Sequence, residues 1–232
     1  MTTTAPDALR APSRKDISMT LDTDWALAWV RTAAAVVAER RAHLVDLDRE
    51  IGDGDHGENL QRGFAAVLPA LDALPEGALP ADVLKKVATT LISTVGGASG
   101  PLLGTAFLKG SQAIAGRDVL DADAVVAFLE AARDGVVLRG KAESGDATMV
   151  DAWTPAVDAA RSAAAAGSAP EAVLRSAADA AVAGAEATEP LVARKGRASY
   201  LGERAIGHRD PGAESSSYLL VAAADAAEEV RS

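Results

Sequence analysis

Residues 22–47, DTDWALAWVRTAAAVVAERRAHLVDL, place Trp25, Trp29, Ala33, Val36 and Val37 on one face of a helix and charged residues on the other. This spacing predicts a first helix that ends near Leu47. The same period returns along the chain. Phe64, Val67, Leu68 and Leu71 mark a second helix, which Pro69 should end or kink. Val83, Val87, Leu91 and Val95 mark a third, introduced by Pro80 or Asp82. A fourth starts after Ser99-Gly100-Pro101, with proline in the first turn, where its missing N–H costs nothing. Asp123 is expected to cap a fifth helix carrying Val126, Leu129, Ala132 and Val136. Asp146 is expected at the start of a sixth, with Met149, Trp153, Val157 and Ala160 on one face and a bend at Pro155. Ser168-Ala169-Pro170-Glu171 reads as a capping box opening a seventh, with Val173, Ala177, Ala181 and Ala185. An eighth runs from about Ser215 to Val230. No run alternates apolar and polar as a half-buried strand would. Eight helices with mostly short connections predict an all-α, antiparallel up-and-down fold. Residues 1–20, aperiodic and rich in Thr, Pro, Ser, Arg and Asp, read as a disordered tail, and residues 21–232 as one helical domain.

Composition bounds the function. Of 232 residues, 49% are apolar but only 3% aromatic, and alanine supplies much of the difference, which suits closely packed helices. No stretch is long and apolar enough to span a membrane, and the N-terminus lacks the basic and apolar regions of a signal peptide. A cytoplasmic protein is expected. With no cysteine, disulfides and thiolate metal sites are excluded, and any metal falls to oxygen or imidazole ligands. A net charge of −10 argues against nucleic acid as a partner, because phosphate backbones are bound through clustered Lys and Arg.

Just beyond the first helix, Asp48-Arg49-Glu50-Ile51-Gly52-Asp53-Gly54-Asp55-His56-Gly57 crowds three aspartates among glycines. Like charges this close are tolerated if solvated or if a cation neutralises them. Mg²⁺ takes oxygen ligands from one or a few carboxylates and leaves further positions to substrate phosphates. Gly52, Gly54 and Gly57 let the backbone turn to aim the carboxylates at one point. Spacing alone leaves a hard-cation site and a solvated acidic turn both open. The run formally satisfies G-x-G-x-x-G, yet it follows a helix rather than a strand, and its aspartates would repel a bare phosphate. The alternation stops too early for an EF-hand, and no Gly-Lys-Ser/Thr exists for a P-loop.

Three further segments stand out. Gly96–Thr105, GGASGPLLGT, precedes a helix and can present amides to an anion, or be a plain turn. Arg139–Met149, RGKAESGDATM, combines two cations with a capped helix start, suited to phosphate or a nucleobase, although Asp caps need no ligand. Lys195 to Glu214 is a stretch of about twenty residues with four glycines and no helical period, and long loops in compact domains are usually functional. Four arginines and a lysine fall between Arg194 and Arg209, a counterpart to an aspartate-held metal if they bind phosphate. Among the histidines, His43 reads as a surface residue, His56 as a neighbour of the aspartates able to touch phosphate or ribose, and His208 as a pin for its loop. No Ser/His/Asp or Cys/His arrangement, and hence no nucleophile or other catalytic side chain, can be proposed.

Four blocks in order, 48–64 (DREIGDGDHGENLQRGF), 95–105 (VGGASGPLLGT), 139–149 (RGKAESGDATM) and 194–212 (RKGRASYLGERAIGHRDPG), closely resemble the nucleotide-binding L subunit of bacterial dihydroxyacetone kinases. The resemblance implies a closed barrel of eight antiparallel helices with ADP or ATP at one end. It implies two Mg²⁺ ions on Asp48, Asp53 and Asp55, bridging the phosphates. It carries nucleotide contacts to His56, Gly57, Glu58 and Asn59, to Gly97, Ala98 and Ser99, to Gly140 and Met149, to Arg197, and to Asp210, Pro211 and Gly212. Dihydroxyacetone would be held covalently by a histidine of a separate K subunit, and this chain would supply only the phosphoryl donor. A phosphotransferase-system protein recharging bound ADP, or free exchange of ATP, are both open, and a homodimer is the expected assembly. The sequence departs from the pattern at Ala147, where a lysine is expected, at Ser144, where proline is common, and in a longer tail. Alternative readings are the nucleotide part of a four-carbon ketose or fatty-acid kinase, or a nucleotide-loaded regulatory module that docks a transcription factor.

Overall fold

The structure, a computed structural model, describes residues 21–229, so the expected tail and the expected helix end at Val230 lie outside the described residues. Eight α-helices follow in order: α1 Thr23–Ile51, α2 His56–Leu71, α3 Pro80–Thr94, α4 Ser99–Ala113, α5 Ala122–Gly140, α6 Val150–Ala165, α7 Pro170–Glu186 and α8 Pro211–Glu229. A 3-10 helix, Arg197–Ala205, lies between α7 and α8. Among the described residues there is no strand. One isolated antiparallel bridge joins Leu21 to Leu120, and Leu120 N–H donates to the Leu21 carbonyl at 3.0 Å. Each helix packs on the next in the chain, and α8 packs on α1, so the bundle closes into a ring.

Indoles fasten that closure. Trp25 and Trp29 stack at 5.3 Å, and Trp29 meets Phe128 edge-on and Phe107 at a tilt. Both tryptophans are buried, so their N–H groups need acceptors. Trp25 Nε1 donates to the Ala223 carbonyl and Trp29 Nε1 to that of Leu219, both on α8. Trp153 Nε1 of α6 likewise donates to Ser216 Oγ. Elsewhere small residues set the spacing. A Cβ on Gly184 of α7 would lie 2.2 Å from the Asp151 carbonyl of α6, so those two backbones approach as only glycine allows.

The apolar faces agree with the sequence periodicity, with Val36 only half-buried and Leu68 exposed. The helix ends differ more. α1 continues a full turn past Leu47 to Ile51, which puts Asp48 on a helix. Pro69 sits inside the last turn of α2, which ends at Leu71. At α3, Pro80 opens the helix while Asp82 accepts the Leu79 N–H, so both expected signals act. The cap of α5 is Asp121, accepting from Ala124 N–H at 2.8 Å, rather than Asp123. α6 begins at Val150, not Asp146, because Asp151 holds the preceding turn by accepting from Gly145 and Thr148 N–H. α7 opens on Pro170 after Ala169, without the expected capping box. The segment expected to lack helical period contains the 3-10 helix, broken at Gly202 where φ is 58°. α8 starts at Pro211, four residues before Ser215, because Asp210 accepts from Ala213 N–H at 2.7 Å.

Candidate functional site

The extra turn of α1 organises the aspartates. Asp48 is buried, and its Oδ2 accepts from the N–H groups of Asp55 (2.8 Å) and His56 (3.1 Å) at the opening of α2. Asp53 and Asp55 stand out from the connecting turn, and the three carboxylates each offer an oxygen within 4.8 Å of the others. The glycines differ in their work. A Cβ on Gly52 would lie 2.2 Å from Asp48 Oδ1, so this position must be bare for that carboxylate to stand where it does. Gly54 has a φ of 73°, the left-handed conformation that turns the chain. Gly57 does not turn the loop: its Cβ would lie 2.3 Å from the Arg41 carbonyl, so it lets α2 approach α1. Arg197 of the 3-10 helix reaches across the cluster to pair with Asp53 at 2.8 Å.

Beside this cluster is a cavity of two joined lobes. The smaller, about 160 Å³, is bordered by Asp48, Asp53, Asp55 and Arg197. The larger, about 550 Å³, has apolar walls that include Leu102, Val136, Ala142, Ala147, Met149 and Val150. His56, Gly97, Ala98, Ser99, Lys195, Gly196, Asp210 and Pro211 border both. The amino ends of α2, α4 and α8 therefore meet at the junction, each bringing the positive end of a helix dipole; the first amides of α2 and α8 are taken by Asp48 and Asp210, whereas α4 has no side-chain cap. Three such ends beside a carboxylate cluster suit a ligand that is anionic and arrives with cations.

Two titratable groups line the junction. Burial is the main cause that lowers the pKa of His56, against the opposing pull of Asp48 and Asp55, and its Nε2 lies 2.9 Å from Ser215 Oγ. Asp210 is pushed up to about 7, chiefly by burial, with Asp151 and Asp48 adding to the rise and the Ala213 and Gly212 amides opposing it. The residue as a whole keeps some surface, so the rise is a local effect of poor hydration at its carboxylate. Its own N–H donates to Thr188 Oγ1, which fixes the chain where it enters α8.

Of the residues singled out in the sequence, the structure brings Asp48, Asp53, Asp55, His56, Gly97, Ala98, Ser99, Gly140, Met149, Arg197, Asp210, Pro211 and Gly212 to the two lobes. Gly57, Glu58 and Asn59 do not line them. Glu58 pairs with Arg41, and Asn59 Oδ1 accepts from Arg62 while its side chain backs Gly96 and Gly97. Arg209, counted among the phosphate-binding cations, turns away. Its Nη2 and Nη1 reach Glu189 (2.8 Å) and Glu214 (2.9 Å), and although burial opposes it, these bonds hold the guanidinium above its ordinary range. His43 is half-exposed and faces Glu214 at 3.6 Å. His208 donates its N–H to the Ala205 carbonyl, within its own loop. Lys195, counted with the basic run, borders both lobes, while Thr148 and Ala147 are wall residues not singled out as contacts. Ala147 adopts a φ of 56°, a strained value for a residue with a Cβ, and nothing in its letter signals that.

A model of the DAK2 domain family matches residues 50–225. The chain belongs to that family. DAK2 relatives include the protein named PEP-dependent dihydroxyacetone kinase, ADP-binding subunit DhaL, from Escherichia coli (strain K12), 42% identical over 201 residues, which are 87% of this chain and 95% of the relative. A Listeria innocua serovar 6a protein, PEP-dependent dihydroxyacetone kinase 1, ADP-binding subunit DhaL, is 44% identical over 202 residues, 87% of this chain and 96% of its own. Both relatives are named as kinase subunits, and kinases of this kind are phosphotransferases with an alcohol acceptor. Among solved structures, the crystal structure of the dihydroxyacetone kinase from C. freundii in complex with AMP-PNP and Mg²⁺ superposes with a TM-score of 0.67 at 26% identity, over 97% of this chain and 38% of that chain. The DAK2 fold is thus part of a longer chain in that enzyme.

Proposed function

We propose that this chain is the nucleotide-carrying subunit of a dihydroxyacetone kinase. It binds ADP or ATP with Mg²⁺ and donates a phosphoryl group to dihydroxyacetone held on a separate K subunit. The observation that carries the reading is the continuity of an adenosine-sized apolar lobe with a lobe walled by three carboxylates. The names of the relatives and the Mg²⁺ complex of the C. freundii enzyme support it.

The donor set fits a hard cation: three carboxylate oxygens, no sulfur, and a bare Gly52 that leaves Asp48 its place. Asp48, Asp53 and Asp55 would hold Mg²⁺, as two ions in this reading, and bound Mg²⁺ would supply charge neutralisation at the phosphates. The chain's own groups do the rest. The amides at the start of α4 receive phosphate oxygens, and Leu102, Val136 and Met149 bury the base and exclude water around it. Arg197 sits at the edge of the carboxylates, where charge on a transferred group would be met. His56, buried and bonded to Ser215, orients the start of α2 rather than taking a proton from an acceptor. The reading treats residues 21–232 as one nucleotide-binding domain, acting in the cytoplasm as a homodimer.

The purified chain with ATP, Mg²⁺ and dihydroxyacetone should make essentially no sugar phosphate. Adding the K subunit, with a phosphotransferase-system protein if released ADP proves non-exchangeable with labelled ATP, should give turnover of roughly 1 to 100 per second. Robust phosphorylation by the isolated chain would refute the donor-subunit reading.

A further inference from the structure

The cations of the loop that closes the cavity are not equivalent. Arg209 is spent on Glu189 and Glu214. Arg194 and Arg204 border neither lobe. Arg197 borders only the carboxylate lobe, where it pairs with Asp53. Lys195 borders both lobes and, among the described residues, takes part in no ion pair.

The backbone beside it is specialised. Gly196 has φ 61° and ψ −161°, a region that essentially only glycine occupies. A Cβ there would meet nothing within 4 Å, so the glycine serves conformation and not close packing. This turn sets Lys195 at the junction of the lobes while Arg197, two residues on, pairs with Asp53. The apolar lobe takes an adenosine, and the carboxylates take the metal ions that the outer phosphates carry, so those phosphates lie on the junction side of the metals. Whatever joins those two ends passes the junction.

We propose that Lys195 is the cation that contacts the nucleotide's β- and γ-phosphates at the junction, so that it sets how affinity depends on the number of phosphates. The inference rests on the nucleotide reading above. A lysine suits this place because its ammonium is a compact charge that needs no paired acceptor geometry and follows phosphates of differing number. No bond to it forms or breaks.

The test is calorimetric titration of AMP, ADP and AMP-PNP, each with Mg²⁺, into the full chain and three variants. Arg139→Ala is the comparison, because Arg139 borders only the apolar lobe. Lys195→Ala should weaken ADP and AMP-PNP about 10- to 100-fold and AMP less than about threefold, as expected for losing charge-assisted hydrogen bonds to the outer phosphates. Lys195→Arg should recover much of that loss, whereas Arg139→Ala should affect the three nucleotides alike. Circular dichroism should be unchanged, since Lys195 is exposed. Equal losses for AMP and AMP-PNP in Lys195→Ala, or no loss for AMP-PNP, would overturn the assignment while leaving nucleotide binding intact. Failure of the unaltered chain to bind any of the three would instead remove the nucleotide reading itself.

Discussion

Replacing each aspartate of the cluster with asparagine should divide one structural carboxylate from two that only bind. Asp48 is 9% exposed, and its Oδ2 is the acceptor for two backbone donors at the start of α2. An ionised acceptor makes hydrogen bonds worth ~1.5–3 kcal/mol each against ~1 for a neutral amide. With two such bonds weakened, and with some relief of repulsion from Asp53 and Asp55, Asp48→Asn should cost about 1–3 kcal/mol without any ligand. For a chain of this length that is a fall in Tm of about 3–9 °C. Asp55→Asn removes a like charge from an exposed cluster and should leave the ligand-free Tm unchanged or raise it. Asp53→Asn loses its pair with Arg197, but with Arg197 68% and Asp53 35% exposed that pair is worth about 0–1 kcal/mol after solvent screening. Mg²⁺ and ADP at a hundred times the dissociation constant should add ~2.7 kcal/mol to the unaltered chain, about 5–10 °C. All three variants should lose most of that gain, because a neutral amide cannot balance a divalent ion. Differential scanning fluorimetry with and without Mg²⁺-ADP reads both quantities. Equal ligand-free destabilisation in Asp48→Asn and Asp55→Asn, or a full ligand-induced rise in all three, would refute the reasoning.

Two further outcomes follow from single contacts. Gly184→Ala places a Cβ 2.2 Å from a backbone carbonyl that cannot swing aside, so it should destabilise the fold by at least ~1–3 kcal/mol, read as a lower urea midpoint at unchanged m-value. Asp210 is held near 7 in the fold against an ordinary value of 3.8, so between those values the native state binds more protons than the unfolded one, and its contribution to stability falls as pH rises through that window. Asp210→Asn should therefore flatten the loss of ligand-free stability between about pH 4 and 7, measured by urea denaturation across that range; an unchanged slope would show that the carboxylate ionises normally.

The helical faces were legible because burial repeats every 3.6 residues, and Trp25, Trp29, Val173, Ala177 and Ala181 fall on buried positions as the period requires. Helix ends were less so, because each is a local competition the sequence leaves undecided. Asp121 and Asp123 are equally good caps by letter, and only the backbone shows that Asp121 is placed to accept. Pro211-Gly212 reads as a breaker, yet proline serves as a first helical residue once Asp210 caps it. At the site, residue types announced the carboxylates and glycine-rich turns. Their meeting could not be read from spacing, because it depends on α8 closing against α1 and bringing Asp210 beside a cavity that Asp48 also borders. The cations were hardest to place. Arg209 and Lys195 belong to one basic run, and what separates them is the position of Glu189 and Glu214, residues that lie outside that run.

The site's charge arrangement accounts for the chemistry it can and cannot perform. Three helix amino ends and Lys195 attract anions, while Asp48, Asp53 and Asp55 repel them, so a bare phosphate gains little at the junction. A phosphate that brings its own divalent ions satisfies both halves at once. Proton transfer is a different matter. Burial keeps His56 toward its neutral form, and its Nε2 is already engaged with Ser215 Oγ. Asp48, Asp53 and Asp55 are the carboxylates a metal would occupy, and Asp210 is engaged by the Ala213 and Gly212 amides at the start of α8. In the proposed function such a site carries a phosphoryl group and stabilises its charge, and activation of the receiving hydroxyl falls to groups on the K subunit. On that proposal, the acceptor's own subunit should dominate the pH profile of turnover.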